Sequence, residues 1–209
     1  MKFIIVDKVK IPIPECYRDT IELVRSDYYR IKGRRKVSLL RLWIYTLWEP
    51  SFAFLFWHRI SSYKSKSPLY YISKFIHRRY IFKYGILIPS STRIGYGLYL
   101  GHPLNIVVNP TAVIGNNCNL YHSVTIGSNH KKAAVIGDNV YIGPNVTIVE
   151  DVKIGNNVTI GAGSVIVKDV PDNATVVGNP QRVTSYNNPG RYVGNRWGCS
   201  KNRCEINRS

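Results

Sequence analysis

Through the second half of the chain the apolar positions fall on one short period. Ile136, Ile142, Ile148, Ile154, Ile160 and Ile166 recur every sixth residue, and Gly137, Gly143, Gly155 and Gly161 each follow a ladder isoleucine. A period of six fits neither the 3.6-residue helix nor two-residue strand alternation. A fixed short repeat of strand plus turn is the signature of a solenoid, here a hexapeptide parallel β-helix. One apolar residue in six points inward, and the neighbouring glycine permits a tight corner. Thr, Val and Asn fill the remaining positions, as suits short strands and turns.

The ladder extends backwards. Ile88, Ile94, Leu100 and Ile106 are in phase, and it resumes at Ile114, Leu120 and Ile126. The phase predicts two extra residues near Asn109 and Pro110, and a longer insertion from Gly127 to Val135. Val170-Pro171 marks the exit from the repeat, and Gly178-Asn179-Pro180 is a turn signal.

Before the repeat the pattern changes. Residues 1–35 are mixed and charged, predicting a short strand and a helix around Thr20–Arg30. Residues 37–83 are apolar and aromatic. The stretch Leu39–Trp57 has the length of a membrane span, but Arg41, Glu49 and Pro50 interrupt it. Two helices fit better, one starting near Pro50 and one running from Pro68 toward Lys83, since proline suits a first helical turn. Their Trp, Tyr, Arg and Lys content suits a membrane interface. Packing on each other, on the open end of the β-helix or on a second subunit is the alternative. The chain thus divides into a mixed, then helical region (1–85), a β-helix (86–183) and a polar, basic tail (184–209) expected to be mobile.

Charge sharpens this division. The formal net charge is +17, of which residues 1–88 carry +12, residues 89–183 carry +1 and residues 184–209 carry +4. Basic flanks around a neutral repeat suit an anionic surface such as membrane phosphate and do not point to nucleic acid. Cys16, Cys118, Cys199 and Cys204 show no metal-ligand spacing, which fits a free-thiol, cytoplasmic protein. The apolar run after Met1 is too short for a signal peptide.

The ladder also places the histidines. With three six-residue units per turn, Leu100 and Leu120 share a face, so His102 and His122, each two residues further on, stack one turn apart. Adjacent strands lie about 4.8 Å apart, which predicts neighbouring imidazoles. Such a pair suits a general base with a second polar group beside it. His130 lies in the inserted loop that leaves the prism just after this pair, and such departures commonly serve binding. His58 and His77 fall in the helical block, as surface or packing residues. Three histidines could also hold zinc, but no Asp or Glu falls in the same column to support them.

Several motifs resemble the serine acetyltransferase family. They are Ile94 through His102 with Ile106-Val107-Val108, Ser123-Val124-Thr125-Ile126-Gly127, Ile160-Gly161-Ala162-Gly163-Ser164-Val165 and Val177-Gly178-Asn179-Pro180. The likeness spans residues 50–183 and includes His58-Arg59-Ile60. It implies a left-handed parallel β-helix, assembled as a homotrimer or from trimers, with active sites between neighbouring prisms. It implies acetyl-CoA as donor, His102 as the base, no covalent acetyl-enzyme and no metal. Gly143, Gly161 and Ala162 match the small residues lining the coenzyme groove, and Lys168 and Arg182 are candidate phosphate contacts.

Two positions depart from the family. Leu87 stands where the serine enzymes have an orienting Asp, and Ala133 where their loop has a His. Both losses fall on amino-acid recognition. The chain is also similar to shorter relatives that acetylate sugar hydroxyls of surface polysaccharides. The expectation is therefore an acetyl-CoA-dependent O-acetyltransferase acting on a capsule or exopolysaccharide sugar, cytoplasmic and peripheral at the inner face of the membrane. L-Serine O-acetylation is the alternative, followed by a zinc-dependent hydratase or a non-catalytic β-helix module.

Overall fold

The computed structural model describes residues 1–198. The ladder builds a three-sided left-handed β-helix of short parallel strands. Face A holds β3 (Arg93–Ile94), β6 (Val113–Ile114), β9 (Val135–Ile136) and β12 (Lys153–Ile154). Face B holds β4 (Tyr99–Gly101), β7 (Asn119–Tyr121), β10 (Tyr141–Ile142), β13 (Thr159–Ile160) and β15 (Thr175–Val177). Face C holds β5 (Val107–Val108), β8 (Thr125–Gly127), β11 (Thr147–Val149) and β14 (Val165–Ile166). The ladder residues fill the prism and are essentially inaccessible to water. Burying one such side chain stabilises by about 1.5–3 kcal/mol relative to exposure.

The corners explain the asparagines and glycines of the repeat. Asn117, Asn139, Asn157 and Asn173 take left-handed backbone conformations at successive A-to-B corners. Their carboxamides hydrogen-bond from coil to coil at 3.2, 3.0 and 3.0 Å. At the same corners the coils nearly touch, and a Cβ on Gly137 would lie 2.8 Å from the Gly155 carbonyl.

Two boundaries differ from expectation. Val108, not Ile106, pairs with Ile126, so the two extra residues lie between Leu100 and Val108 and not at Asn109-Pro110. The repeat also continues past Val170-Pro171. Val170 bridges to Ile154 on face A, β15 extends face B, and antiparallel β16 (Arg182–Ser185) follows a turn with a cis Asn179–Pro180 peptide.

The N-terminal region opens with a hairpin of β1 (Lys2–Val6) and β2 (Val9–Ile13), where one short strand is predicted. Four helices follow: α1 (Tyr17–Lys32), α2 (Leu39–Tyr45), α3 (Pro50–Ser62) and α4 (Pro68–Tyr84). α3 is the buried member, and its Phe54 and Leu55 join the prism core at the first coil. Arg59 rivets this cover in place. Its guanidinium donates twice to the Asp27 carboxylate (2.8 and 2.9 Å) and to the carbonyls of Ile94 (3.0 Å) and Gly95 (2.7 Å). The packing alternative therefore holds for α3. The outer side of α2 and its following turn stays open, with Trp48 80% exposed beside Leu39, Leu40, Trp43 and Leu47. Among the described residues no helix is long and apolar enough to cross a membrane.

The described part of the tail, up to residue 198, also differs from expectation. Residues 186–198 fold back as a strap between α1 and face B. Trp197 lies against Tyr29 and Tyr96, and the Tyr192 ring packs on Tyr141. Arg30, buried so deeply that its pKa falls to about 10, ties strap to prism through Gly194 O (2.9 Å), Gly97 O (2.9 Å) and Asn119 Oδ1 (2.6 Å). Cys199 and Cys204 lie outside the described residues, while Cys118 is buried and Cys16 exposed.

Candidate active site

β4 ends at Gly101 and the chain then enters the widened B-to-C corner. The later corners of this column each carry one left-handed residue, Ser123, Asn145 and Gly163. The first carries two, because the additional residues put His102 (φ 53°) as well as Asn105 (φ 52°) into that region. A non-glycine residue held there stores about 1–3 kcal/mol and commonly marks a functional position. The His102 carbonyl accepts from Leu104 N (2.8 Å), closing a tight turn that presents the imidazole to solvent.

His122 follows β7 one coil later. The two imidazoles are neighbours, with ring centroids 6.0 Å apart and an interplanar angle of 74°. His122 Nδ1 is buried and has no hydrogen-bond partner among the described residues. Buried polar atoms are normally satisfied, and this one lies beside the exposed His102 imidazole. The pair can accept a proton from a hydroxyl and hold the resulting oxyanion or a second polar atom.

Gly143, Gly161 and Ala162 line the same corner on the following coils. Coil packing alone requires the two glycines, since a Cβ at 143 would sit 2.9 Å from Ala162 N and one at 161 would sit 2.7 Å from Val177 Cγ1. The corner is open to solvent at Ala162, which is exposed, and at Gly163, whose absent Cβ would meet nothing within 4 Å. Buried Ser164 fixes this corner by donating to Gly161 O (2.7 Å) and accepting from Gly178 N (3.1 Å). Lys168 and Arg182 are exposed, Lys168 on the C-to-A corner and Arg182 at the start of β16.

His130 is not brought to this pair. It sits on the C-to-A side of the prism, 79% exposed, with Nε2 3.8 Å from Glu150. The loop is pinned there by Ser128 Oγ, which contacts Lys132 O (2.7 Å) and the Glu150 carboxylate (2.8 Å). That contact holds the Glu150 pKa below its ordinary value. Ala133 is 1% exposed and belongs to the prism core, so it presents no group to a ligand. Leu87 pairs with Val107 on face C and shows an apolar surface. Neither position supplies the charge that the family pattern would place there. Among the described residues no three His, Cys, Asp or Glu side chains gather to hold a metal.

Sequence reasoning did not single out one set of residues beside this pair. Tyr99, Tyr121 and Tyr141 form an outward cluster on face B, and the Tyr121 ring lies 6.3 Å from that of His102. Their signal is the outward strand position repeated on face B. His58 and His77 are buried packing residues of the helical block.

Residues 133–168 match the family described as bacterial transferase hexapeptide (six repeats). A serine acetyltransferase of Synechococcus elongatus is 33% identical over 138 residues, covering 64% of this chain and 57% of that protein. The chain spans about half the length of the curated relatives it matches. The Neisseria gonorrhoeae serine acetyltransferase, solved in complex with serine, aligns with a TM-score of 0.65 and 34% identity over 79% of this chain and 69% of that one. The soybean serine acetyltransferase apoenzyme aligns with a TM-score of 0.65 and 32% identity, covering 80% and 71%.

Proposed function

The chain belongs to the serine acetyltransferase family of hexapeptide-repeat acyltransferases, and from that premise we propose that it moves an acetyl group from acetyl-CoA to a hydroxyl acceptor. The observation that carries this reading is the exposed, left-handed His102 set edge-on to His122 at the head of a corner left open by Ala162 and Gly163. His102 takes the acceptor proton as its oxygen attacks the thioester carbonyl. A C–O ester bond forms, the C–S bond breaks, and the proton passes on to the leaving thiolate of CoA. Cys118 takes no part, since burial pushes its thiol up to about 12.

L-Serine is the acceptor that the relatives favour, and the gonococcal enzyme was solved with it. A sugar hydroxyl is the second reading. Leu87 and the buried Ala133 support it, because neither can answer the charges of a free amino acid. A homotrimer would set the His130 loop of one subunit against the His102 corner of the next. The open apolar side of α2, flanked by Arg34, Arg35, Lys36 and Arg41, suits contact with an anionic membrane surface from the cytoplasmic side.

The test is CoA release, followed with a thiol reagent, against L-serine and a panel of sugars. Turnover that is lost in His102→Ala supports the reading. No turnover of acetyl-CoA with any serine or sugar acceptor refutes it.

A further inference from the structure

The outward side of face B adds a wall to the site. Gly101 immediately precedes His102 and pairs across the ladder with Tyr121. A Cβ at position 101 would come within 2.6 Å of the Tyr121 ring, so that ring lies over the glycine and beside the base. From there the aromatic surface continues. The Tyr121 ring is 5.1 Å from Tyr141 and 6.3 Å from Tyr99, and Tyr192 of the strap packs 5.0 Å from Tyr141. Arg191 lies 4.8 Å over the Tyr192 ring at the outer edge.

These rings are not part of the prism core. They lie on the side of the sheet opposite the ladder and remain partly open to water, with Tyr192 59% exposed. The strap fixes the far side of the column, since Asn119 Nδ2 donates to Tyr192 O (3.1 Å). The near side ends at His102. A half-exposed aromatic wall that finishes at a general base is the form of a binding surface, with an apolar body and polar phenol rims.

We propose that the tyrosine column led by Tyr121 is the acceptor platform and that the acceptor carries a pyranose ring. The inference rests on the reading of His102 as the base of O-acetyl transfer, and it chooses between the two acceptors left open there. A pyranose has an apolar C–H face to lay on an aromatic ring and hydroxyls around its rim, one of which reaches His102. Serine has no such face and leaves the platform uncovered. Its ammonium and carboxylate call for opposite charges that Tyr99, Gly101, Tyr121 and Tyr141 do not bring.

The experiment measures kcat and KM at saturating acetyl-CoA for methyl α-D-glucopyranoside, methyl β-D-galactopyranoside, N-acetylglucosamine, L-serine and glycerol. At least one pyranose should exceed L-serine and glycerol in kcat/KM. Tyr121→Ala should raise its KM by about tenfold, the loss of one good ring contact, while the KM for acetyl-CoA stays put. Tyr121→Phe should keep the ring contact and most of the affinity. Tyr192→Ala reads the same wall from the exposed strap if Tyr121→Ala does not fold. The platform is overturned if L-serine or glycerol is used as well as every pyranose, or if both alanine variants leave the pyranose KM unchanged. Either result leaves acetyl transfer standing. CoA release with none of these acceptors removes the underlying reading and the platform with it.

Discussion

Acid should loosen the helical cover before it loosens the prism, because of two histidines that take no part in the site. His58 and His77 are buried between α3, α4 and the first coil, with ring centroids 5.3 Å apart. Phe54 packs on both. His58 Nε2 lies 3.3 Å from Pro89 O, while His58 Nδ1 and His77 Nε2 are buried without partners among the described residues. Unprotonated nitrogens are the less costly orphans in so apolar a place, and both rings are held neutral. Desolvation, reinforced for His58 by His77, lowers the His58 pKa well below its ordinary value. Desolvation, with Lys74 nearby, lowers that of His77 to about 4.

The sign follows from proton uptake. Between about pH 6.5 and 4 the unfolded chain binds a proton at His77 that the folded chain refuses, so stability falls as pH falls through that window. Each such histidine contributes a slope of up to about 1.4 kcal/mol per pH unit. For His77 the whole window amounts to about 3 kcal/mol, a large part of the net stability of a domain. Urea unfolding of wild type and His77→Gln at several pH values between 7.5 and 4.5 measures it. The variant should lose the His77 share of the slope, although its stability at pH 7.5 is lower. Parallel pH profiles for the two proteins would refute the argument.

Four further outcomes follow from the same geometry. His102→Ala should lower kcat by about 10²–10⁴-fold with little change in the KM for acetyl-CoA, measured by CoA release. Ala162→Leu should add bulk to this exposed corner and raise the KM for acetyl-CoA at least about tenfold, and circular dichroism checks that folding is undisturbed. Arg59→Ala strands the fully buried Asp27 carboxylate and should cost about 3–5 kcal/mol in denaturant unfolding. Trp43→Ser with Trp48→Ser should reduce co-sedimentation with phosphatidylserine vesicles several-fold without changing CoA release in solution.

The residues that were legible in the sequence are those whose role repeats. The ladder from Ile114 to Ile166 needed only its period, and it carried His122 to its place because Leu120 is in register with Leu100. Pro50 and Pro68 announced α3 and α4 because each sits in a first turn. What escaped has no period. The strap is held by single long-range bonds, such as Arg30 to Gly194 O, whose partners lie far apart along the chain. α2 was lost inside an apolar stretch whose packing could not be divided by pattern alone.

The misplaced insertion shows why the site was only half legible. A six-residue count tolerates two extra residues anywhere between Leu100 and Ile114, and Ile106 fits the phase because it too is apolar and buried. Pairing of Val108 with Ile126 moves the excess into the corner of His102 itself. That corner then needs a second left-handed residue, and the strained position falls on the imidazole. The same count hid the glycine before it. Gly101 reads as one more corner residue of the repeat, yet the structure uses its missing side chain to seat the Tyr121 ring. Where the repeat is regular the sequence explains the scaffold. Where it is irregular, the long corner turns out the His102 imidazole, and Gly101 just before it seats the Tyr121 ring beside that imidazole.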